Sequence, residues 1–207
     1  MTFSPTTSTL ADRATTLIDR ATTLIDVART LANERGDAAF TVADVVQRAG
    51  VSLKAFYATV GGKDELLLAL LAADSHLGAQ LVSTAVDRFD DPQDRLHAWI
   101  FELCSLAGLH DAIGYAGLLA RETRRLGDER PAELAGALAP LLDGLAAVLD
   151  EIGSRDTERD VRAVFSLVID AIHDITRGRA DPIDAADYLT GFVLRAVAGA
   201  LPGGDRE

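Results

Sequence analysis

At 207 residues, 48% hydrophobic but only 5% aromatic, the chain can bury one large or two small cores, and its composition suits helices. Cys104 is the only cysteine, which excludes a disulfide framework and a metal–thiolate cluster. The longest apolar run, Leu66 to Ala73, is too short to cross a bilayer, and no charged-then-apolar signal pattern opens the sequence. A cytoplasmic protein with no membrane partner is expected.

The net charge of −12 argues at first against nucleic acid, but its distribution matters more than its sum. The first 66 residues hold seven basic and eight acidic side chains, for a net −1, while the remainder holds 13 and 24, for a net −11. The two lysines of the chain, Lys54 and Lys63, both lie in the near-neutral part. An acidic body on a neutral head remains compatible with DNA, provided the head's few cations face phosphates.

Taken in order, residues 1–8 read as a disordered arm. A tandem repeat follows, RATTLID at 13–19 and again at 20–26. Seven residues turn a helix only about 20° out of register, so Leu17/Ile18 and Leu24/Ile25 keep to one side, in line with Ala28 and Leu31/Ala32. The repeat therefore lengthens the first helix by two turns and stacks Arg13 and Arg20 along it, either as an added DNA-backbone contact or as a tolerated duplication. Asp37 to Phe40 reads as a loop with one apolar anchor.

From Thr41 the sequence runs TVADVVQRAGVSLKAFYATVGGK. Thr41 can N-cap a short helix, with Asp44 in a capping-box position, and Val42, Val45, Val46 and Ala49 form its apolar side. Gly50 supplies the left-handed residue that ends it. Ser52 caps a second short helix, Leu53 to Thr59, which buries Phe56 and turns Lys54, Tyr57 and Thr59 outward. Two such helices around a glycine turn are the helix-turn-helix signature, and the second is the one that enters a DNA major groove. Thr41 and Ser52, at helix N-termini, suit phosphates. Leu53, Lys54, Ala55 and Thr59 project toward bases, where Lys54 can donate to guanine and Leu53 or Ala55 can pack on a thymine methyl.

The run T-V-A-D-V-V-x-x-A-G-V-S-x-x-x-F-Y followed by G-G-K-D-E-L resembles the DNA-binding domain of the tetracycline-repressor (TetR) family over about residues 21–70. The resemblance implies phosphate contacts for Tyr57 and Lys63, an all-helical remainder for effector binding, and a homodimer. Lys54 stands where the family often has Gly, Thr59 where it often has His or Tyr, and Val60 where it usually has Phe.

Gly61-Gly62 ends the second short helix, and Lys63-Asp64-Glu65 opens a long one whose acids suit its positive end. Its apolar residues, Leu66, Leu67, Leu70, Leu71, Leu77, Leu81 and Val82, carry it to about Arg88. Pro92 opens a helix to about Leu109, with Leu96, Trp99, Ile100, Leu103 and Leu106 as its core. Further helices are predicted over 112–126, 131–152, 157–177 and 183–200, with a polar link at 127–130. The last two carry the stripes Val161, Val164, Phe165, Val168, Ile172, Ile175 and Ala186, Leu189, Phe192, Val193, Ala196, Val197. Such stripes either complete a monomer core or pair across a two-fold axis; the resemblance implies the pairing. No strand pattern occurs.

In the body, a small-molecule site needs a mostly apolar cavity with a few polar groups. The candidates are His97, Trp99, Phe101, Cys104, Tyr115, Glu122, Phe165 and His173, with His97, Phe101 and Cys104 on one helical face. Catalysis is not expected. Cys104 and His97 lie on an apolar helix where a buried structural thiol is the better reading, no metal-ligand spacing occurs, and the paired glycines follow a helix rather than a strand. No cofactor is expected.

The sequence thus predicts an all-α protein with a helix-turn-helix head at 1–66 and an effector-binding, dimerising body at 67–207. It is expected to be a regulator, more specifically a repressor, that binds a palindromic double-stranded DNA operator, leaves it on binding a small hydrophobic effector, and forms a homodimer through its last two helices. The alternative is a TetR-like ligand- or protein-binding module that has lost DNA binding.

Overall fold

The computed structural model describes residues 5–35, 40–109 and 113–198, with side chains at 5–13, 113 and 198 left aside. Within these residues there are nine helices and no strand: α1 (Pro5–Arg35), α2 (Val42–Ala49), α3 (Leu53–Val60), α4 (Lys63–Val86), α5 (Pro92–Gly108), α6 (Ile113–Glu129), α7 (Pro131–Ile152), α8 (Thr157–Thr176) and α9 (Pro182–Ala198). The arm predicted at 1–8 is helical from Pro5 onward, because α1 continues through the repeat without a break; residues 1–4 lie outside the described residues. Of the predicted 37–40 loop, only Phe40 is described, and it is 1% exposed in the head core.

The head closes as its residues dictate. Thr41 Oγ1 accepts from Asp44 N at 3.2 Å, while the Asp44 carboxylate accepts from Thr41 N at 2.7 Å, so both halves of the capping box form. Gly50 takes φ 65°, and Val51 N–H donates to Val46 O at 3.2 Å, the double-back that ends a helix on a left-handed residue. Ser52 Oγ accepts from Ala55 N and starts α3. Phe56 is fully buried beside Val45, Phe40, Leu24, Ala28, Leu31 and Ala32.

One core continues from the head into Leu66, Leu67, Leu70 and Leu71 of α4 and on to Leu118, Leu126, Leu134 and Leu138. A second is built by α5 with α4, α7, α8 and α9 around Trp99, Ile100, Leu145 and Val168. By length and apolarity α4 and α7 match membrane-crossing helices, yet here they pack against each other inside the fold. Ser75 pins them: its hydroxyl donates to Leu138 O and accepts from Leu141 N, both at 3.2 Å. These bonds flank Pro140, which removes a helix N–H inside α7.

Two expectations change. The link predicted at 127–130 is mostly helix, since α6 runs on to Glu129, held by the Arg125–Glu129 pair one turn apart. The stripes of α8 and α9 are largely spent within the chain: Val161, Val164, Val168, Ile175, Ala186, Leu189 and Val193 are buried in the body core. What α9 leaves outward is Ile183, Tyr188 and Phe192, which are 56%, 68% and 44% exposed.

Candidate DNA-binding face and effector cavity

α3 presents an exposed edge made of Leu53, Lys54 and Tyr57, with Phe56 beneath it as the anchor. Tyr57 meets Phe56 edge-on at 5.3 Å, which fixes the ring and leaves its hydroxyl end outward. Two arginines beside α2 are committed elsewhere. Arg35 forks onto Asp44 with two 2.7 Å bonds, and Arg48 onto Glu34 at 2.9 and 2.6 Å. Arg35 and then Thr41 hold the Asp44 carboxyl well below the usual carboxylate range. Lys63 lies over the Phe40 ring, its Nζ 5.4 Å from the centroid. Lys54 has no ion pair among the described residues, which makes it the freest cation on the recognition edge.

Three residues read as DNA-facing are turned partly to local work. Thr41 spends its N–H and O–H on Asp44. Thr59 is half-buried and donates to Ala55 O at 2.8 Å, and Ala55 is half-buried as well. Both lie on the inner flank of α3, because one turn separates them and the helix's outer edge belongs to 53, 54 and 57. Ser52 remains exposed at the helix start.

In the body, a cavity of about 340 Å³ opens between α1, α4, α5, α6, α7 and α8. Its walls are almost wholly apolar, drawn from Leu71, Leu77 and Leu81 of α4, Leu103 and Leu106 of α5, Tyr115 and Leu119 of α6, Leu138 and Leu141 of α7, and Phe165, Ile169 and Ile172 of α8. Leu77, Leu81 and Leu109 are 55%, 44% and 55% exposed and form its open side. Apart from Ser75, whose hydroxyl is taken by α7, the polar side chains of its lining gather around Arg29. Arg29 of α1 donates to Asp74 of α4 at 2.7 Å and to Asp26 at 2.7 Å, and its guanidinium carbon lies 6.0 Å from the Tyr115 ring centre. The second Asp74 oxygen and the Tyr115 hydroxyl are buried without a hydrogen-bond partner among the described residues. Burial pushes the Asp74 carboxyl above its ordinary value despite Arg29. Burial opposes the Arg29 charge too, yet its bonds to Asp74 and Asp26 hold that group above its ordinary value. The pair thus secures the guanidinium but does not fully compensate the carboxylate for lost water.

Of the eight predicted ligand residues, Tyr115 and Phe165 line this cavity and the other six do not. His97 bonds Asp187 of α9 at 2.8 Å and stacks on Phe101, so both serve the α5–α9 contact. Trp99 and Cys104 are 1% and 0% exposed in the body core, and burial pushes the thiol up to about 11. Glu122 is taken by Arg121 and by Arg125, the latter at 2.8 Å. His173 is half-buried on α8 away from the cavity, lowered first by burial and then by nearby arginines. Helical spacing identified residues that face inward but could not say toward which interior. The missed polar group, Asp74, had a signal: a carboxylate directly after the apolar run Leu66–Ala73, on the same helix.

Between head and cavity runs a second set of ion pairs. Arg125 of α6 binds Asp64 at 2.6 Å, and Arg130 binds Glu65 at 2.9 Å, both acids in the first turn of α4. Among the described residues no group of His, Cys, Asp and Glu could hold a metal ion.

Residues 24–70 match the family described as bacterial regulatory proteins, tetR family. A comparison with curated proteins found no match. Among solved structures, a TetR transcriptional regulator from Rhodococcus sp. RHA1 is similar at TM-score 0.68 and 18% identity, over 88% of this chain and 97% of the other. The regulator FadR from Bacillus subtilis, solved with stearoyl-CoA, is similar at TM-score 0.66 and 17% identity, over 84% and 97%. RolR, solved with resorcinol, is similar at TM-score 0.60 and 18% identity, over 94% and 100%. Residues 24–70 thus carry the sequence of the tetR-family DNA-binding domain, and the chain as a whole shares the fold of these solved regulators.

Proposed function

We propose that the protein is a cytoplasmic, homodimeric repressor, with residues 1–66 as the DNA-binding head and 67–207 as the effector-binding and dimerising body. The observation that carries the DNA reading is Lys54, a cation with no ion pair among the described residues, on the exposed edge of α3 between Leu53 and Tyr57. A dimer sets two such edges against successive major grooves of a palindromic operator, about one DNA turn apart. Ser52, Tyr57 and Lys63 hold phosphates, and Lys54 reads a base edge.

The effector reading rests on the cavity, whose walls reach the head by two routes. Arg29 of α1 lies at its polar end, and α6 carries Tyr115 in the cavity and Arg125 on the start of α4. A small apolar effector that moves α6 or α4 shifts the helix following Gly61-Gly62, changes the spacing of the two recognition edges and lowers operator affinity. The coupling is reciprocal, so operator DNA weakens effector binding by the same factor. Two of the similar solved structures hold stearoyl-CoA and resorcinol, one with a long acyl chain and one with an aromatic ring, which supports an effector with an apolar part here.

The test is binding to the DNA upstream of the protein's own coding sequence. Lys54→Ala is expected to weaken or respecify binding while leaving the dimer folded. A variant that binds every sequence as the wild type does removes α3 as the reader. A second reading, a ligand-binding module without DNA function, draws on the internal neutralisation of Arg35 and Arg48 by Asp44 and Glu34. Salt-dependent binding to that DNA excludes it.

A further inference from the structure

The polar end of the cavity has a composition that selects among apolar molecules, and the following rests on the reading of that cavity as the effector site. Two buried atoms there lack partners among the described residues: one Asp74 oxygen, which can only accept, and the Tyr115 hydroxyl, which can donate. The residues that carry them flank the same guanidinium, Arg29, which bonds the other Asp74 oxygen at 2.7 Å and lies 6.0 Å from the Tyr115 ring centre. A carboxylate entering here meets Asp74, with Asp26 also on Arg29; an ammonium meets Arg29 itself. Either charge would also be stripped of water by the aliphatic walls. A neutral group that both donates and accepts satisfies both orphans and opposes neither charge.

We propose that the cavity takes a neutral apolar molecule bearing a single hydroxyl, an alkanol or a phenol, whose O–H donates to the free Asp74 oxygen and whose oxygen accepts from Tyr115. The volume of about 340 Å³ lies at the small end of ligand sites, so the molecule is compact. The unreturned desolvation of Asp74 favours the same group, since a second donor stabilises that carboxylate. The hydroxyl joins α4 to α6 beside Arg29 of α1, so the ligand touches the three helices through which the head and body communicate.

The test uses two matched pairs, 1-decanol with decanoate and 2-naphthol with 2-naphthoate, titrated calorimetrically at pH 7.5 into the full-length protein and its variants. In at least one pair the hydroxyl compound is expected to bind tenfold or more tightly than its carboxylate. Asp74→Asn, which keeps the volume and removes the charge, is expected to bring that ratio toward one. Tyr115→Phe, which deletes one oxygen, is expected to weaken the hydroxyl compound several-fold and to carry the test should Asp74→Asn not fold. Equal binding within both pairs, or a ratio unmoved by both variants, overturns the hydroxyl assignment and leaves the cavity as an effector site. No binding by any of the four overturns both.

Discussion

At the scale of single residues, the same side-chain type does opposite work according to where its partners lie. Arg35 and Arg48 read as basic contributions to a DNA-binding head, yet each is forked onto a carboxylate of the same head, and they brace α2 against α1. Lys54, with no such partner among the described residues, is left for an external anion. Cys104 shows the converse. A thiol pushed up to about 11 by burial is only about one part in a thousand thiolate at pH 8, and the thiolate is the reactive form. The native protein is therefore expected to resist a disulfide reagent such as DTNB at pH 8 and to react fully in guanidinium. Rapid stoichiometric labelling of the native form would contradict the buried position and reopen Cys104 as a nucleophile. Burial of this residue followed from its apolar helix; that it and Trp99 belong to the body core rather than to the cavity did not, because helical periodicity gives the direction of a side chain and not the neighbour it meets.

At the scale of elements, the helix-turn-helix is nearly complete within its own sequence. The capping box at Thr41–Asp44, the left-handed Gly50 and the Ser52 cap are local bonds made within a few residues, so they form as written. Gly50 has nothing within 4 Å of where a β-carbon would stand, so its requirement is one of backbone conformation alone. Gly50→Ala is expected to cost about 1–2 kcal/mol, the left-handed penalty of an L-residue, with no added clash. Gly50→Asn should cost less, since Asn tolerates that region. Chemical denaturation measures both, and an alanine variant as stable as the wild type would show that the turn has another conformation open to it. The duplicated heptad behaves differently in its two copies. Leu24 of the second is buried in the head core, whereas Leu17 and Ile18 of the first are 48% and 65% exposed. Register was preserved, as seven residues require, but the core does not extend far enough to cover the added turns.

At the scale of the whole molecule, the outward residues of α9 set the prediction. Ile183, Tyr188 and Phe192 are large, apolar and exposed along a helix whose other face is already packed. Tyr188 and Phe192, one turn apart, form an exposed apolar pair, which marks an interaction site, and here a second copy through α8 and α9 is the partner we infer. Phe192→Glu is expected to give monomers by sedimentation and, with half-sites no longer joined, to cut operator affinity by an order of magnitude or more. A variant that remains dimeric would move the interface elsewhere. The operator affinity of the wild type should also fall steeply with salt, because phosphate contacts release counterions, with a slope that counts them.

What the sequence determined by itself is the part governed by short-range rules: helices throughout, their ends within a few residues, the caps and glycine turn of the head, and the buried face of each helix. These depend on bonds between near neighbours and on a 3.6-residue period, both written in the order of residues. Only the tertiary structure decided where interior faces enclose space and which charges find partners. The cavity exists because six helices meet around it, and its polar end because Arg29 and Asp74, 45 positions apart, arrive at one point. Such a meeting depends on the packing of the whole chain, and no local period encodes it.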